Sequence, residues 1–119
     1  MKFLSVYTRD SKSPAPMSRE QMAEMGELME ETTKSGALIL TGGILPIAKG
    51  GARVRSSGGE ITIDGPFTET KEIVGGFAIL EAKSREEAIE MVRRFLKIAG
   101  DGESELHQIT EPGEGRPNQ

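Results

Sequence analysis

The 119-residue sequence contains no cysteine, no tryptophan, one histidine, one tyrosine and four phenylalanines. The absence of cysteine excludes a thiol nucleophile, a disulfide framework and a thiolate metal site. A single histidine is too few for a multi-histidine metal centre, so we predict neither a metal nor a cofactor. Leu, Ile, Val and Phe supply 26 residues, just above the level of roughly 20% below which chains are disordered. We therefore expect one folded domain with a modest core, which favours burying more surface in an oligomer.

Charge and hydropathy limit the partners. The formal net charge is −4, so the basic surface of a nucleic-acid-binding protein is absent. No apolar run approaches the roughly 20 residues that cross a bilayer. The apolar stretch 1–7 is too short for the core of a signal peptide, and Arg9 follows closely. These features predict a cytoplasmic protein with no nucleic-acid or membrane partner.

Local patterns predict six strands and two helices. Ser18 and Ser84 are each followed three residues later by Gln or Glu, which predicts capping boxes that begin the two helices. We expect the helices to end near Gly36 and Gly100. Alternating or apolar segments bounded by turn residues predict strands at 2–8, 37–41, 52–56, 60–64, 73–82 and 104–110.

The order of these elements predicts an α+β, ferredoxin-like βαββαβ fold with an antiparallel sheet and an inserted β-hairpin. The domain spans residues 1–111, and the Pro- and Gly-containing tail 112–119 is expected to be disordered. Two helices cover only one face of such a sheet. We expect the open face to carry Phe3, Tyr7 and some of Phe77, Ile79, His107 and Ile109. An apolar face of this kind marks an interface, so a homodimer is expected.

Two glycine pairs lie at or within the predicted apolar strands. Gly42-Gly43 is expected to stop the strand at 37–41. Gly75-Gly76 lies inside the strand at 73–82, where a glycine pair indicates a bulge or a close approach by another group.

The segment Asp64-Gly65-Pro66-Phe67-Thr68-Glu69-Thr70-Lys71-Glu72 resembles the signature of the YCII-related, or DGPF-domain, family. The surrounding segments 36–38 and 52–55, Pro46 and the segment 75–77 resemble that family too, and the likeness runs from Met1 to about Glu111. The resemblance implies a ferredoxin-like fold that dimerises as an α/β barrel. It also implies association with extracytoplasmic-function sigma factors, because relatives are often encoded beside them or fused to them. The YCII branch is thought to use a His on its first helix with an Asp, and the first helix here has no His.

Three residues are candidates for acid/base catalysis. Asp64 and Glu69 belong to the carboxylates of the motif, and two carboxylates in one cleft raise one pKa. The alternative is a solvated acidic loop with Lys71 and nearby arginines as partners. His107 titrates near neutral pH when unperturbed and would assist. Its alternative role is a surface or interface histidine held by hydrogen bonds.

The candidate ligand-binding residues lie around the same motif. Arg53 and Arg55 share one face of a strand and suit a carboxylate or phosphate, although charged residues on an edge strand also simply prevent aggregation. Gly65 and Pro66 form a stiff corner, which presents neighbouring groups or merely turns the chain. The full set is Tyr7, Arg53, Arg55, Gly65, Pro66, Phe67, Thr68 and Lys71.

Two functions stay open at this point. The first is binding of a small polar metabolite in a cleft near the motif at the dimer, with or without acid/base catalysis. The second is a non-catalytic binding or regulatory module that associates with a sigma factor. A cavity in which two titratable groups converge would favour an enzyme. Carboxylates held by backbone donors or turned to solvent would favour a binding module.

Overall fold

The computed structural model describes residues 1–9, 17–64 and 75–110. These stretches form, in chain order, β1 (Lys2–Arg9), α1 (Arg19–Lys34), β2 (Leu38–Ile44), β3 (Arg53–Ser57), β4 (Glu60–Asp64), β5 (Gly75–Glu81), α2 (Arg85–Ala99) and β6 (Gly102–Ile109). Four strands form an antiparallel sheet in the order β2-β5-β1-β6, and β3 pairs with β4 in a separate two-stranded sheet. The α+β, ferredoxin-like arrangement with an inserted hairpin is confirmed. The expected disordered tail at 112–119 lies outside the described residues.

Both helices begin where the sequence predicts. Ser18 Oγ accepts a hydrogen bond from the backbone N–H of Gln21 at 3.1 Å, and Gln21 Oε1 accepts one from Ser18 N–H at 2.8 Å. At α2, Ser84 Oγ accepts from Glu87 N–H at 3.1 Å. These bonds satisfy backbone donors that the first turn of a helix leaves unpaired, which is why a serine fixes each start.

The helices cover the face of the sheet that we expected to be open. Phe3 is only 2% exposed and packs in the core with Leu80 and Ala88. Register places Tyr7 on the same face as Phe3, because they are four residues apart on β1. The assignment of Phe3 and Tyr7 to the open face was therefore wrong. β1 is apolar on both faces, and a period of two shows which residues share a face but not which face is covered.

The open face of the sheet carries the alternate side chains of each strand, which project away from the helices. Val6 is opposite Phe77, Leu4 is opposite Ile79, and on the other side Leu4 is opposite His107. The expectation that aliphatic and aromatic residues of β5 and β6 lie on a face without helices is confirmed. The open face includes the apolar residues Leu4, Val6, Leu40, Ile44, Phe77, Ile79 and Ile109, together with His107 and the charged residues Lys2, Glu81 and Glu105.

The glycine pairs behave differently from each other. Gly42-Gly43 does not stop β2, which continues to Ile44 in register with β5. A Cβ on Gly42 would lie 2.9 Å from Phe77 Cε1, so a side chain at this position would require the aromatic ring to shift. A Cβ on Gly75 would lie 2.8 Å from the carbonyl oxygen of Tyr7. The close approach predicted at this pair is confirmed.

Candidate functional site

Most of the family-like segment lies outside the described residues. β4 ends at Asp64, and the description resumes at Gly75. Candidate residues that fall in this gap are Gly65, Pro66, Phe67, Thr68, Glu69 and Lys71. Their proposed roles stay predictions.

Asp64 is paired with an arginine of the same hairpin. Arg55 Nε lies 3.6 Å from Asp64 Oδ2, and 68% of the Arg55 side chain and 45% of the Asp64 side chain are exposed. Arg53, which is opposite Asp64 in the ladder, shares the face of Arg55 as the spacing predicts. An exposed pair of this kind contributes about 0–1 kcal/mol to stability. The environment of Asp64 therefore matches the interpretation of a solvated carboxylate with an arginine partner.

His107 lies on the open face of the sheet, as predicted. Its Nε2 is 2.8 Å from Glu105 Oε1, and both side chains are more than half exposed. The pair is two residues apart on β6, so the two side chains project from the same face. His107 is therefore held by a carboxylate on the side of the sheet away from the helices.

A cavity of about 160 Å³ lies on the opposite side, between the helices and the sheet. From the helices it is lined by Leu28, Met29, Met91, Val92 and Phe95. The strands contribute small or aliphatic residues and two aromatic residues, Tyr7 and Phe77, to its floor. The principal floor residues are Ser5, Tyr7, Ala78 and Leu80.

Tyr7 is the one titratable side chain in the described lining of this cavity. Its ring meets Phe95 edge to face, with centroids 5.1 Å apart and an interplanar angle of 84°. Its hydroxyl donates to the carbonyl oxygen of Asp101 at 3.2 Å. A Cβ on Gly102 would lie 2.6 Å from Tyr7 Cε1, so the missing side chain at Gly102 makes room for the ring. Tyr7 therefore lines a cavity, as predicted, but on the face covered by helices.

One lining residue lies close to the gap in the described chain. Gly76 contributes to the lining of the cavity and directly follows Gly75, the first described residue after the gap. Sequence reasoning missed the cavity itself, although the close approach predicted for the glycine pair pointed to this part of the sheet.

Two kinds of site are not found within the described ranges. No group of three or more His, Asp or Glu residues in residues 1–9, 17–64 and 75–110 is arranged to hold a metal ion. No helix among them is both long enough and apolar enough to span a membrane.

The architecture and the cavity together define a small ferredoxin-like α+β domain with a pocket between its helices and its sheet. The family model of the YCII-related domain matches residues 1–110. The chain therefore belongs to the YCII-related family.

A curated relative is also similar in sequence. It is the uncharacterized protein R00369 of Rhizobium meliloti (strain 1021), which is 29% identical over 72 residues. This match covers 60% of the chain and 58% of the relative. The chain thus matches less than two thirds of the length of that protein, whose name states no activity.

Proposed function

We propose that the protein binds a small, largely apolar molecule in the cavity between the helices and the sheet, as a homodimer. The observation that carries the proposal is the cavity of about 160 Å³ with a lining made mostly of apolar side chains. An apolar cavity of roughly 150 Å³ stays dry and accepts a molecule the size of benzene. The volume therefore fits a small aromatic molecule or a short branched chain.

The lining favours an apolar ligand, whereas the sequence led us to expect a small polar metabolite. Thr32 and Thr41 line the cavity, but their hydroxyls already donate to backbone carbonyl oxygens, at 2.6 Å to Leu28 and 2.9 Å to Phe77. Burying a polar ligand group without a partner is unfavourable by about 1–3 kcal/mol. The apolar body of the ligand therefore occupies the cavity.

Binding without chemistry is the function that this environment supports. The described lining has no carboxylate and no histidine that could transfer a proton. Asp64 is paired with Arg55 on the hairpin, and His107 is paired with Glu105 on the opposite face of the sheet. Acid/base catalysis by Asp64, Glu69 and His107 stays a prediction, as does association with a sigma factor.

The homodimer is supported by the open face of the sheet. Leu40, at one margin of this face, is 54% exposed, and Ile44 is 43% exposed. Apolar patches of this extent on soluble domains mark interaction surfaces. A second copy related by a two-fold axis would bring two identical faces together.

The cavity can be tested with probes and with the methionine methyl groups. Met29 and Met91 line the cavity, whereas Met22 is 54% exposed on the surface of α1. With methionine methyls labelled by 13C, we expect xenon or indole to shift the signals of Met29 and Met91 and to leave that of Met22 unchanged. Equal small shifts of all methionine signals would contradict binding in the cavity.

A filling substitution provides the control. Ala78→Leu places three further carbons in the cavity, so it should abolish the xenon and indole shifts while the chain stays folded. Ala23→Leu makes the same change on the exposed surface of α1 and should leave the shifts intact. Binding that survives Ala78→Leu would refute the proposed site.

A further inference from the structure

The hairpin formed by β3 and β4 has one apolar face that is largely exposed. Val54 is 62% exposed, Ile61 72% and Ile63 71%. Val54 is opposite Ile63 in the ladder, and Ile61 lies two residues from Ile63, so the three share a face. The opposite face carries Arg53 and Arg55 and is charged.

The turn of the hairpin fixes which residues lie on the apolar face. Gly58 has φ +59° and Gly59 has φ +85°. Two consecutive residues with positive φ in a two-residue loop make a type I′ turn, whose twist matches that of paired strands. Since a slip of one residue would exchange the two faces, this turn holds the apolar face in place.

An isolated two-stranded hairpin is marginally stable in water and needs a surface to pack on. Every residue of β3 is exposed, and β4 is exposed as far as Ile63. The hairpin therefore does not cover the open face of its own sheet. Among the described residues, one face of the four-stranded sheet is therefore not covered by a helix. The apolar face of the hairpin is exposed as well.

We propose that the hairpin of one copy packs its apolar face, Val54, Ile61 and Ile63, on the open sheet face of a second copy. The inference rests on the homodimer proposed above and names the element that closes its interface. A two-fold axis makes the contact reciprocal, so each hairpin covers part of the other copy's sheet. The charged faces of both hairpins then stay in water, which explains why each hairpin has two chemically different faces.

The areas support this use of the hairpin. Four strands of about seven residues present a flat face of roughly 440 Å², and two strands of five residues add roughly 160 Å². A stable interface buries about 800 Å² on each partner. The sheet face alone falls well short of that value. With the hairpin the flat area rises to roughly 600 Å², which is closer to that value.

The absence of cysteine allows a direct test by disulfide trapping. One set of chains carries Ile61→Cys on the hairpin, and a second set, distinguished by its mass, carries either Leu40→Cys or His107→Cys on the open face. We expect mixed disulfides with at least one of these two reporters. Ala23→Cys, on the surface of α1, is the matched control and should form none. Sedimentation equilibrium of the unmodified chain gives the oligomeric state independently.

Each other outcome has a definite meaning. A dimer without a mixed disulfide to either reporter overturns the role of the hairpin and leaves the homodimer standing. A monomer at micromolar concentration overturns both. A disulfide within one chain in the double variant Ile61→Cys/Leu40→Cys, with none between chains, shows that the hairpin folds back on its own sheet and overturns the proposal.

A second pair of variants measures the energetic role of the apolar face. Ile61→Ser with Ile63→Ser should raise the dissociation constant of the dimer at least tenfold and leave the far-UV circular dichroism of the domain nearly unchanged. Thr62→Ser, on the charged face of the same strand, should leave the constant unchanged. Equal constants for all three proteins would overturn the proposal.

Discussion

The packing of Tyr7 against Gly102 makes a quantitative prediction about stability. In Gly102→Ala the new Cβ would lie 2.6 Å from Tyr7 Cε1, 2.7 Å from Tyr7 Oη and 2.9 Å from the carbonyl oxygen of Thr8. Separations below 3.0 Å are not tolerated by real Cβ atoms, and one of these atoms belongs to the backbone. The tyrosine ring must therefore move, or β1 and β6 must separate.

The expected loss of stability follows from the contacts that Tyr7 makes. Its edge-to-face contact with Phe95 contributes about 0.5–1.5 kcal/mol, and its hydrogen bond to Asp101 contributes about 1 kcal/mol. The strain of an overpacked site adds about 1–3 kcal/mol when the ring cannot leave completely. We therefore expect Gly102→Ala to lower the free energy of unfolding by about 3 kcal/mol.

The assay is urea denaturation followed by far-UV circular dichroism, with the same substitution at Gly26 as control. Gly26 lies inside α1 on its exposed side, with nothing within 4 Å of a Cβ built there. Gly26→Ala should raise the free energy of unfolding by up to about 1 kcal/mol, because alanine has the higher helix propensity. Because Tyr7 is the one tyrosine and no tryptophan is present, its fluorescence reports movement of the ring directly. If Gly102→Ala matches the unmodified protein in both stability and tyrosine fluorescence, the reasoning is refuted.

Two further predictions concern a helix start and a surface carboxylate. Ser84→Ala removes the acceptor at the start of α2, so it should lower the free energy of unfolding by about 1 kcal/mol in urea denaturation, and an unchanged value would contradict the capping role. The amino group of Met1 donates to Glu81 Oε2 at 2.7 Å and holds the pKa of Glu81 below its usual range. Folding therefore favours ionised Glu81, whose contribution is complete above the pKa of the unfolded chain, about 4.3, and is lost as the pH falls through the lower pKa of the folded chain. A carboxyl NMR titration should give Glu81 a midpoint below that value, and Glu81→Gln should weaken the loss of stability in acid.

The elements of the fold were predictable because their signals are local. A serine with Gln or Glu three residues later defines each helix start, and Gly58-Gly59 between alternating segments defines the hairpin. The order of these elements then leaves few arrangements of the sheet. The sequence alone therefore led to the ferredoxin-like arrangement.

What the sequence did not reveal depends on contacts between distant elements. Phe3 and Tyr7 alternate with Leu4 and Val6, and both pairs are apolar enough to be buried, so the covered face was assigned wrongly. The cavity exists because the side chains of two helices and a sheet do not fill the space between these elements. No local sequence pattern predicts such a gap. The pairing of Asp64 with Arg55 follows from the register of the hairpin, and the same carboxylate had been a candidate acid or base.

The pairing of Ile44 with Gly75 has a consequence for how the domain is built. The two residues are Cα partners on adjacent antiparallel strands, although thirty positions of the sequence separate them. Residues 45–74 therefore connect two adjacent strands of the sheet, and the two ends of this connection lie side by side. A short turn joining residue 44 to residue 75 should give a shortened domain that keeps all four strands of the sheet and both helices. The pairing of the four strands would thus depend on residues outside positions 45–74.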